Sequence, residues 1–382
     1  MNFTRLRKFL DFELPTLGIP GSDTVICVGG EEVFRHTTGY DSKAERTLLK
    51  PNALYNLYSC TKVTTAVAAT QLIERGEITV TDPIYAYFPE FENMLVKVKD
   101  ESGNVIDMRP AKSPITIQQL LTMTSGINYN LQTPSIAEFK AKTDGRCPTV
   151  LFPSAIAKEP LEFDPGTRWC YGLSLDVIGA LIELVSGKKL GEYMKENIFE
   201  PLGMKNTSFG FTDEKLECMA IQYRFDPQTC SAVEIPKNQN QFVLGPEFES
   251  GGAGLISCVD DQILLTEALT NLGLGKNGNR ILGERAVNLM RSDALSDSVR
   301  SSFNPSHFQG YSYGYGVRVN RCPSLVGNLA PVGEFGWDGA KMSYISCDPE
   351  NRVSMFHAEH MGGVASIVWP KLRNLLYSSL DY

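Results

Sequence analysis

The sequence predicts an α/β fold in which one sheet is built from both ends of the chain, with a mostly helical domain inserted between them. Segments with strand-like patterns lie near the amino terminus and again near the carboxyl terminus, whereas helical periodicity dominates the long middle of the chain. We therefore expect one domain from residues 1–78 and 300–382, a second from residues 79–299, and an active site between them.

The amino-terminal part predicts a helix followed by a hairpin. Apolar residues recur on one side of residues 1–13, as in an amphipathic helix: Phe3, Leu6, Phe9 and Leu10. Residues 22–40 form two β-prone runs around Gly29 and Gly30, which predicts a β-hairpin with a glycine turn. A loop that contains Pro51 then leads to the next helix.

The middle of the chain predicts helices, and its end predicts strands. Prolines interrupt residues 82–114, which we expect to be irregular, and residues 127–165 predict a long loop with helical pieces. Helical patterns cover residues 116–124, 171–187, 189–205, 260–272 and 283–292. Strands are expected at residues 313–319, 342–348 and 353–359, and Pro370 is expected to open a closing helix.

Composition excludes several classes of partner. The chain carries a formal charge of -8 and has no basic block, which argues against nucleic acid. No apolar run approaches the roughly 20 residues that span a bilayer, and the amino terminus lacks the features of a signal peptide. Nine scattered cysteines without a C-x-x-C pair favour reduced thiols and a cytoplasmic protein.

Ser59 and Lys62 form an S-x-x-K motif at the start of a predicted helix that ends near Gly76. Apolar spacing of three and four after Lys62 predicts a helix with one buried face. A serine at a helix start lies in the field of the helix dipole, and its own N–H is free to bind an oxyanion. A partly buried lysine on the same face is a suitable base for that serine.

The same pair also has a structural interpretation. Ser59 could be a capping residue, with Lys62 in water. Four-residue motifs are common, and Ser186 with Lys189 matches the same pattern at the predicted end of another helix. The lysines of that second match are expected to point into solvent. The motif alone therefore does not distinguish a catalytic pair from a structural one.

Two further segments offer groups that could act on Ser59. Residues 163–171 form a turn that delivers Tyr171 just before a helix, and a nearby lysine would favour ionisation of its phenol. The alternative is a core tyrosine with a satisfied hydroxyl. Residues 335–340 precede a strand and can offer a backbone N–H to a carbonyl oxygen, or can form an ordinary tight turn around Trp337.

Taken together, these segments resemble the serine β-lactamase-related superfamily, most closely its class C β-lactamase and family VIII carboxylesterase branch. The resemblance runs from about residue 18 to 382. The segments that carry it are residues 59–62, 115–126, 163–166, 171–179, 201–207, 251–257 and 337–339. It implies a β-lactamase/transpeptidase-like fold, with an antiparallel sheet flanked by helices and an inserted mostly helical domain.

The resemblance also implies a mechanism without metal or cofactor. Ser59 attacks an ester carbonyl, Lys62 and Tyr171 carry the proton to the leaving alcohol, and the N–H groups of Ser59 and Ala340 bind the oxyanion. Water, or an acceptor alcohol or amine, then releases the acyl group. The implied partner is a small-molecule acyl substrate; the oligomeric state stays open.

Departures from the family pattern favour esters over β-lactams. Leu173 stands where β-lactamases carry the asparagine of Tyr-x-Asn. Trp337, Asp338 and Gly339 replace Lys-Thr-Gly, so the cation that engages a β-lactam carboxylate is missing. An uncharged acyl group is expected to pack on Trp337, and Asp338 is expected to repel a carboxylate. The esterase and acyltransferase branch shows a similar Trp-x-Gly pattern.

Other interpretations remain open. A β-lactamase, a D-amino-acid peptidase or amidase of the same fold, and a non-catalytic binding or scaffold protein are alternatives. Gly310 to Gly314 match the G-x-S-x-G elbow of α/β-hydrolases, with Ser312 as nucleophile, but a strand rather than a helix is predicted after it. His357 and His360 could suggest a metal site, yet a strand sends neighbouring side chains to opposite faces.

Overall fold

The computed structural model describes residues 1–226, 228–229, 231–239, 242–303 and 309–381. Short 3₁₀-helical or π-helical turns lie next to several of its α-helices. The α-helices are α1 (Thr4–Lys8), α2 (Leu14–Thr16), α3 (Thr61–Glu74), α4 (Ile117–Leu121), α5 (Pro134–Lys142), α6 (Pro153–Ile156), α7 (Ser174–Ser186), α8 (Leu190–Met194), α9 (Glu200–Leu202), α10 (Asp213–Cys218), α11 (Val259–Thr270), α12 (Glu284–Met290), α13 (Asp297–Arg300), α14 (Pro323–Val326) and α15 (Ala365–Leu380).

Strands from both ends of the chain form the main sheet, as predicted. The strands are β1 (Gly21–Val28), β2 (Glu31–Ser42), β3 (Thr47–Leu48), β4 (Tyr55–Asn56), β5 (Leu95–Lys99), β6 (Val105–Pro110), β7 (Gln222–Asp226), β8 (Ser231–Ile235), β9 (Ile256–Ser257), β10 (Tyr311–Tyr313), β11 (Arg318–Asn320), β12 (Phe335–Gly336), β13 (Tyr344–Asp348), β14 (Val353–Ala358) and β15 (Met361–Gly362). Within the described residues, the main sheet has the order β10-β11-β12-β13-β14-β1-β2-β3, and its neighbours pair antiparallel.

Successive side chains of a strand point to opposite faces of the sheet, and each face of this sheet carries a hydrophobic core. On β1, Val25 belongs to the large core that also contains α3 and α7, whereas Ile26 belongs to a second core. The second core is closed by α1 and α15, which contact each other. The sheet is therefore flanked by helices on both faces, as the period of two along a strand requires.

Helix α3 lies in the centre of the large core, in contact with α7, α8 and α12. Every residue from Thr61 to Leu72 is buried, so the predicted single buried face is wrong. Most of these side chains are small and uncharged, and some of the threonine hydroxyls bond to the backbone. Thr65 Oγ1 donates to Gly251 O at 2.6 Å, and Thr70 Oγ1 donates to Ala66 O at 2.7 Å.

Three other local predictions need correction. Residues 82–114 contain the hairpin β5–β6, whose turn is built by Asp100 accepting from two backbone N–H groups. The strand expected at residues 313–319 is instead the hairpin β10–β11, with a turn at Gly314. Pro370 lies inside α15, which starts at Ala365, because buried Val368 and Trp369 hold the turn before it in place.

The predicted hairpin at residues 22–40 is confirmed as β1–β2, and the division into two domains at residues 78/79 and 299/300 stays a prediction. Eight described cysteines are free thiols, and Cys230 lies outside the described residues. None of the helices in the described ranges is long and apolar enough to cross a membrane.

The turn between β10 and β11 packs on α3 through Gly316, which has a φ of +68°. A Cβ at Gly316 would lie 2.8 Å from Ala66 Cβ and 3.1 Å from Lys62 O. Gly278 has a similar φ of +84° and open space around its Cα, so it is a matched control.

We expect Gly278→Ala to lower the free energy of unfolding by about 1–2 kcal/mol, from backbone strain alone. Gly316→Ala is expected to cost a further ~1–3 kcal/mol, because the added methyl group overpacks α3. Urea unfolding of both variants measures the difference. Equal losses would show that this turn does not brace α3.

Candidate active site

Ser59 lies in a tight helical turn, Tyr58–Cys60, between β4 and α3. The turn is tied down on both sides, because Leu57 N donates to Leu255 O at 2.9 Å and Ser343 Oγ donates to Leu57 O at 2.8 Å. Tyr58 has a φ of +46°, and Ser59 retains 8% of its surface exposed. The predicted position of Ser59 at a helix start is confirmed.

Lys62 lies one turn along the helix, with its ammonium group fully buried beside Ser59. Its Nζ donates to Ser59 Oγ at 3.3 Å and to Gly252 O at 2.7 Å. Burial lowers the pKa of Lys62 to about 8, although the nearby Asp176 and Cys60 oppose that effect. The structure therefore places a lysine that can lose its proton near neutral pH against a serine hydroxyl.

Asp176 lies on α7 and is fully buried near Lys62. Its carboxylate accepts hydrogen bonds from Ser250 Oγ and from Gly252 N, the latter at 3.2 Å. It thus holds the turn whose carbonyl accepts from Lys62. Sequence reasoning assigned no role to Asp176; an acidic residue within the apolar face of a predicted helix was the available signal.

Two stacked tyrosine rings cover Lys62. The ring centroids of Tyr129 and Tyr171 are 5.3 Å apart, and Lys62 Nζ lies 5.3 Å and 4.7 Å from them, respectively. Tyr129 was also missed, because it falls in the segment predicted as a long loop. Burial raises the pKa of Tyr129, partly opposed by the nearby Ser59 hydroxyl.

The pKa of Tyr171 shifts in the direction opposite to the one expected from the nearby Lys62. Burial raises the pKa of Tyr171, while the Ser59 hydroxyl and the Trp337 indole partly oppose the rise. Lys62 Nζ lies over the aromatic ring of Tyr171, 4.7 Å from its centroid, in a cation–π arrangement, and burial sets the direction of the pKa shift. The Tyr171 hydroxyl therefore keeps its proton near neutral pH.

Trp337 holds Tyr171 in place. Its Nε1 donates to the Tyr171 hydroxyl at 3.1 Å, and its ring packs between Tyr171 and Tyr313 at centroid distances of 5.7 and 5.1 Å. Trp337 is only 4% exposed and Leu173 only 2% exposed. Both side chains therefore present almost no surface on which an acyl group could pack.

Residues 338–340 form the other wall of the site. A Cβ at Gly339 would lie 2.3 Å from Leu57 O, so glycine lets this segment approach the Ser59 turn. Gly339 N donates to Ser343 O at 2.8 Å, which closes a turn with Ala340 exposed at its tip. The negative charge of Asp338 raises the pKa of Tyr171, so Asp338 acts electrostatically on that tyrosine.

The rival nucleophiles have structural surroundings. Ser312 is fully buried on β10, donates to Asp293, and is followed by a turn into β11 rather than by a helix. Ser186 ends α7 and donates to Ile182 O at 2.6 Å, while Lys188 pairs with Glu196 at the surface. Among the described residues, neither serine has a buried base beside it.

The histidines near the carboxyl terminus are structural as well. His357 Nε2 lies 2.8 Å from Glu359 Oε1, and its Nδ1 shares a hydrogen bond with Thr24 at 2.7 Å. Burial lowers the pKa of His360 to about 3. In the described part of the chain, no group of three His, Cys, Asp or Glu side chains is arranged to hold a metal ion.

Comparison with known proteins finds matches along most of the chain. A family model described as Beta-lactamase matches residues 6–358. Esterase EstB of Burkholderia gladioli is 27% identical over 356 residues, 88% of this chain and 84% of that protein. Acyltransferase calJ of Penicillium decumbens is 30% identical over 271 residues, 67% of this chain and 62% of that protein.

A solved structure matches almost the whole chain. Unliganded simvastatin synthase (LovD) from Aspergillus terreus has a TM-score of 0.80 at 21% identity, covering 99% of this chain and 98% of that one. The predicted β-lactamase/transpeptidase-like fold is confirmed, and so is the resemblance on which it was based.

Proposed function

The chain belongs to the Beta-lactamase family, and on that premise we propose that it is a serine hydrolase that acts on esters through an acyl-enzyme at Ser59. One observation carries the proposal: Lys62 Nζ is fully buried and lies 3.3 Å from Ser59 Oγ. Burying a lone ammonium group is costly, and a protein that only binds or scaffolds has no need of one beside a serine.

In the first step, neutral Lys62 removes the proton of Ser59 as the hydroxyl attacks the ester carbonyl. A pKa of about 8 leaves roughly a tenth of the lysine neutral at pH 7. Gly252 O holds the amine in position through the proton transfer. The N–H groups of Ser59 and Ala340 are the proposed donors to the oxyanion.

Tyr171 completes the path of the proton. Its hydroxyl keeps its own proton, so it acts as a donor to the leaving alcohol and is reprotonated from Lys62. Trp337 fixes the direction of that hydroxyl. We assign Tyr129 to covering Lys62, because its ring centroid lies 5.3 Å from the ammonium.

Ester substrates fit the site better than β-lactams. Leu173 and Trp337 are buried, and neither offers the amide or the cation of the β-lactamase motifs. Relatives named as an esterase and as an acyltransferase support this substrate class. Release of the acyl group by water makes the protein a carboxylesterase, and release by an acceptor alcohol makes it an acyltransferase.

The test of Ser59 uses the second S-x-x-K motif as its control. Ser59→Ala is expected to lower kcat for a p-nitrophenyl ester by at least about a thousandfold, because the nucleophile is lost. Ser186→Ala removes the serine of the surface motif and is expected to leave kcat unchanged. Intact-protein mass spectrometry after rapid quenching should show an acyl adduct on wild type and Ser186→Ala alone.

Penicillin is the second substrate in that experiment, and we expect slow turnover of it. Fast penicillin hydrolysis would mean that the protein is a β-lactamase. An adduct that persists in Ser59→Ala would place the nucleophile elsewhere, and no adduct with any acyl donor would favour a binding role.

Variants of the two tryptophans beside Tyr171 distinguish the contribution of hydrogen bonding to catalysis from that of ring packing. Trp337→Phe removes the indole N–H that holds the Tyr171 hydroxyl, and we expect kcat to fall by about two- to tenfold. Trp169 stacks on Tyr171 at 6.0 Å, and its Nε1 has no hydrogen-bond partner among the described residues.

Trp169→Phe is therefore the matched control, and it is expected to keep kcat within about twofold of wild type. Steady-state kinetics with a p-nitrophenyl ester measures both variants. Equal losses in the two would mean that ring packing, and not the hydrogen bond, supports Tyr171.

A further inference from the structure

An open cleft of about 470 Å³ lies beside the Ser59 turn. Tyr58 and Ala340 form the wall next to the proposed oxyanion donors. The rest of the lining is mostly amide and cationic: Gln222, Ile235, Asn238, Gln239 and Lys341. We call this the amide cleft. The cleft adjoins the site of the reacting carbonyl, because it is lined by Tyr58, next to Ser59, and by Ala340.

Lys341 is a half-buried cation in this cleft. Its Nζ makes a long hydrogen bond to Tyr223 O at 3.4 Å, and it forms no ion pair with a carboxylate among the described residues. Burial and the guanidinium of Arg224 both lower the pKa of Lys341. A half-buried ammonium without a counter-ion is costly, and an anion placed in the cleft would relieve that cost.

The surroundings of Lys341 are positive although the chain as a whole carries a charge of -8. Lys237 and Lys341 both act to lower the pKa of His360, so the two ammonium groups act on the same region. Arg224 and Lys237 likewise have no ion pair among the described residues. Glu234, the acidic residue of β8, accepts a hydrogen bond from Ser42 Oγ at 2.8 Å and forms no ion pair with these cations among the described residues.

Gln222 supports the cleft from beneath its surface. Its Oε1 accepts from the Tyr58 hydroxyl at 2.5 Å, and its Nε2 donates to Gln239 O at 2.9 Å. The side chain is fully buried, so it links Tyr58 to the segment that carries Gln239. The amide cleft thus combines a braced wall with a cation that lacks a counter-ion among the described residues.

We infer that the amide cleft binds an anionic group of the ester substrate, with Lys341 as its ionic partner. This inference rests on the proposed ester-acting function and names the substrate class: esters that carry a carboxylate or a similar anion. The missing lysine at position 337 led us to expect an uncharged acyl group. Lys341 supplies a cation from the turn that follows, on the open side of the site.

The experiment compares esters that differ only in charge. One pair is the mono-p-nitrophenyl ester of adipic acid and the same ester with its free carboxylate methylated. A second pair, 4-acetoxybenzoate and its methyl ester, puts the anion on the alcohol side. Wild type is expected to show a higher kcat/KM for the anionic member of at least one pair, and the pair that responds shows which side enters the cleft.

Lys341→Met keeps the apolar stem and removes the charge. We expect the ratio of kcat/KM for the anionic over the neutral ester to fall by about tenfold to hundredfold, the range for a hydrogen bond to a charged group. Lys188→Met is the control, because Lys188 is exposed. It follows the carboxyl end of α7, and the length of that helix, about 20 Å, separates it from the Asp176 end beside the active site. Its ratio is expected to match wild type.

The outcomes separate this inference from the proposed function. Turnover of neutral esters through Ser59, with no preference for either anionic ester, would overturn the inference and leave the function standing. A preference that survives Lys341→Met, or falls equally in Lys188→Met, would also overturn it. Absence of turnover and of a Ser59 adduct with all four esters would overturn the proposed function itself.

Discussion

The structure depends on burying one ammonium group in the centre of the protein. Lys62 is fully buried on a helix that is itself buried from Thr61 to Leu72. Taking a charge out of water is costly unless it is paired or loses its proton, so the surroundings must supply compensation. Here a backbone carbonyl, a buried carboxylate and two aromatic rings do so: Gly252, Asp176, Tyr129 and Tyr171.

The balance among these neighbours sets the chemistry. Burial favours the neutral amine, and Asp176 favours the charged one, so the pKa of Lys62 settles at about 8. Burial keeps Tyr171 protonated, against the opposing effect of the hydrogen bond from Trp337, which fixes the position of the hydroxyl. These pKa shifts support the proposed roles of the two residues: Lys62 accepts the proton of Ser59, and Tyr171 donates a proton to the leaving group.

Sequence alone predicted the elements with strong local signals. The S-x-x-K motif and helical periodicity located Ser59 and Lys62, and strand patterns at both chain ends predicted the main sheet. Features that depend on distant contacts could not be predicted. Asp176 comes close to Lys62 only because the fold packs α7 against α3, and the rise in the pKa of Tyr171 depends on how deeply the fold buries that side chain.

The account is tested most directly by the pH dependence of Ser59 acylation, measured as the pre-steady-state burst rate in stopped-flow experiments with excess ester. The rate of wild type should fall as pH drops through about 8, because protonated Lys62 cannot accept a proton. Asp176→Asn removes the charge that raises the pKa of Lys62, so its profile should move to lower pH. Asp261→Asn, a change at a buried carboxylate bonded to Asn206 and Thr207, should leave the profile in place. An unchanged profile in Asp176→Asn, or a shift to higher pH, would contradict the assignment of Lys62 as the base.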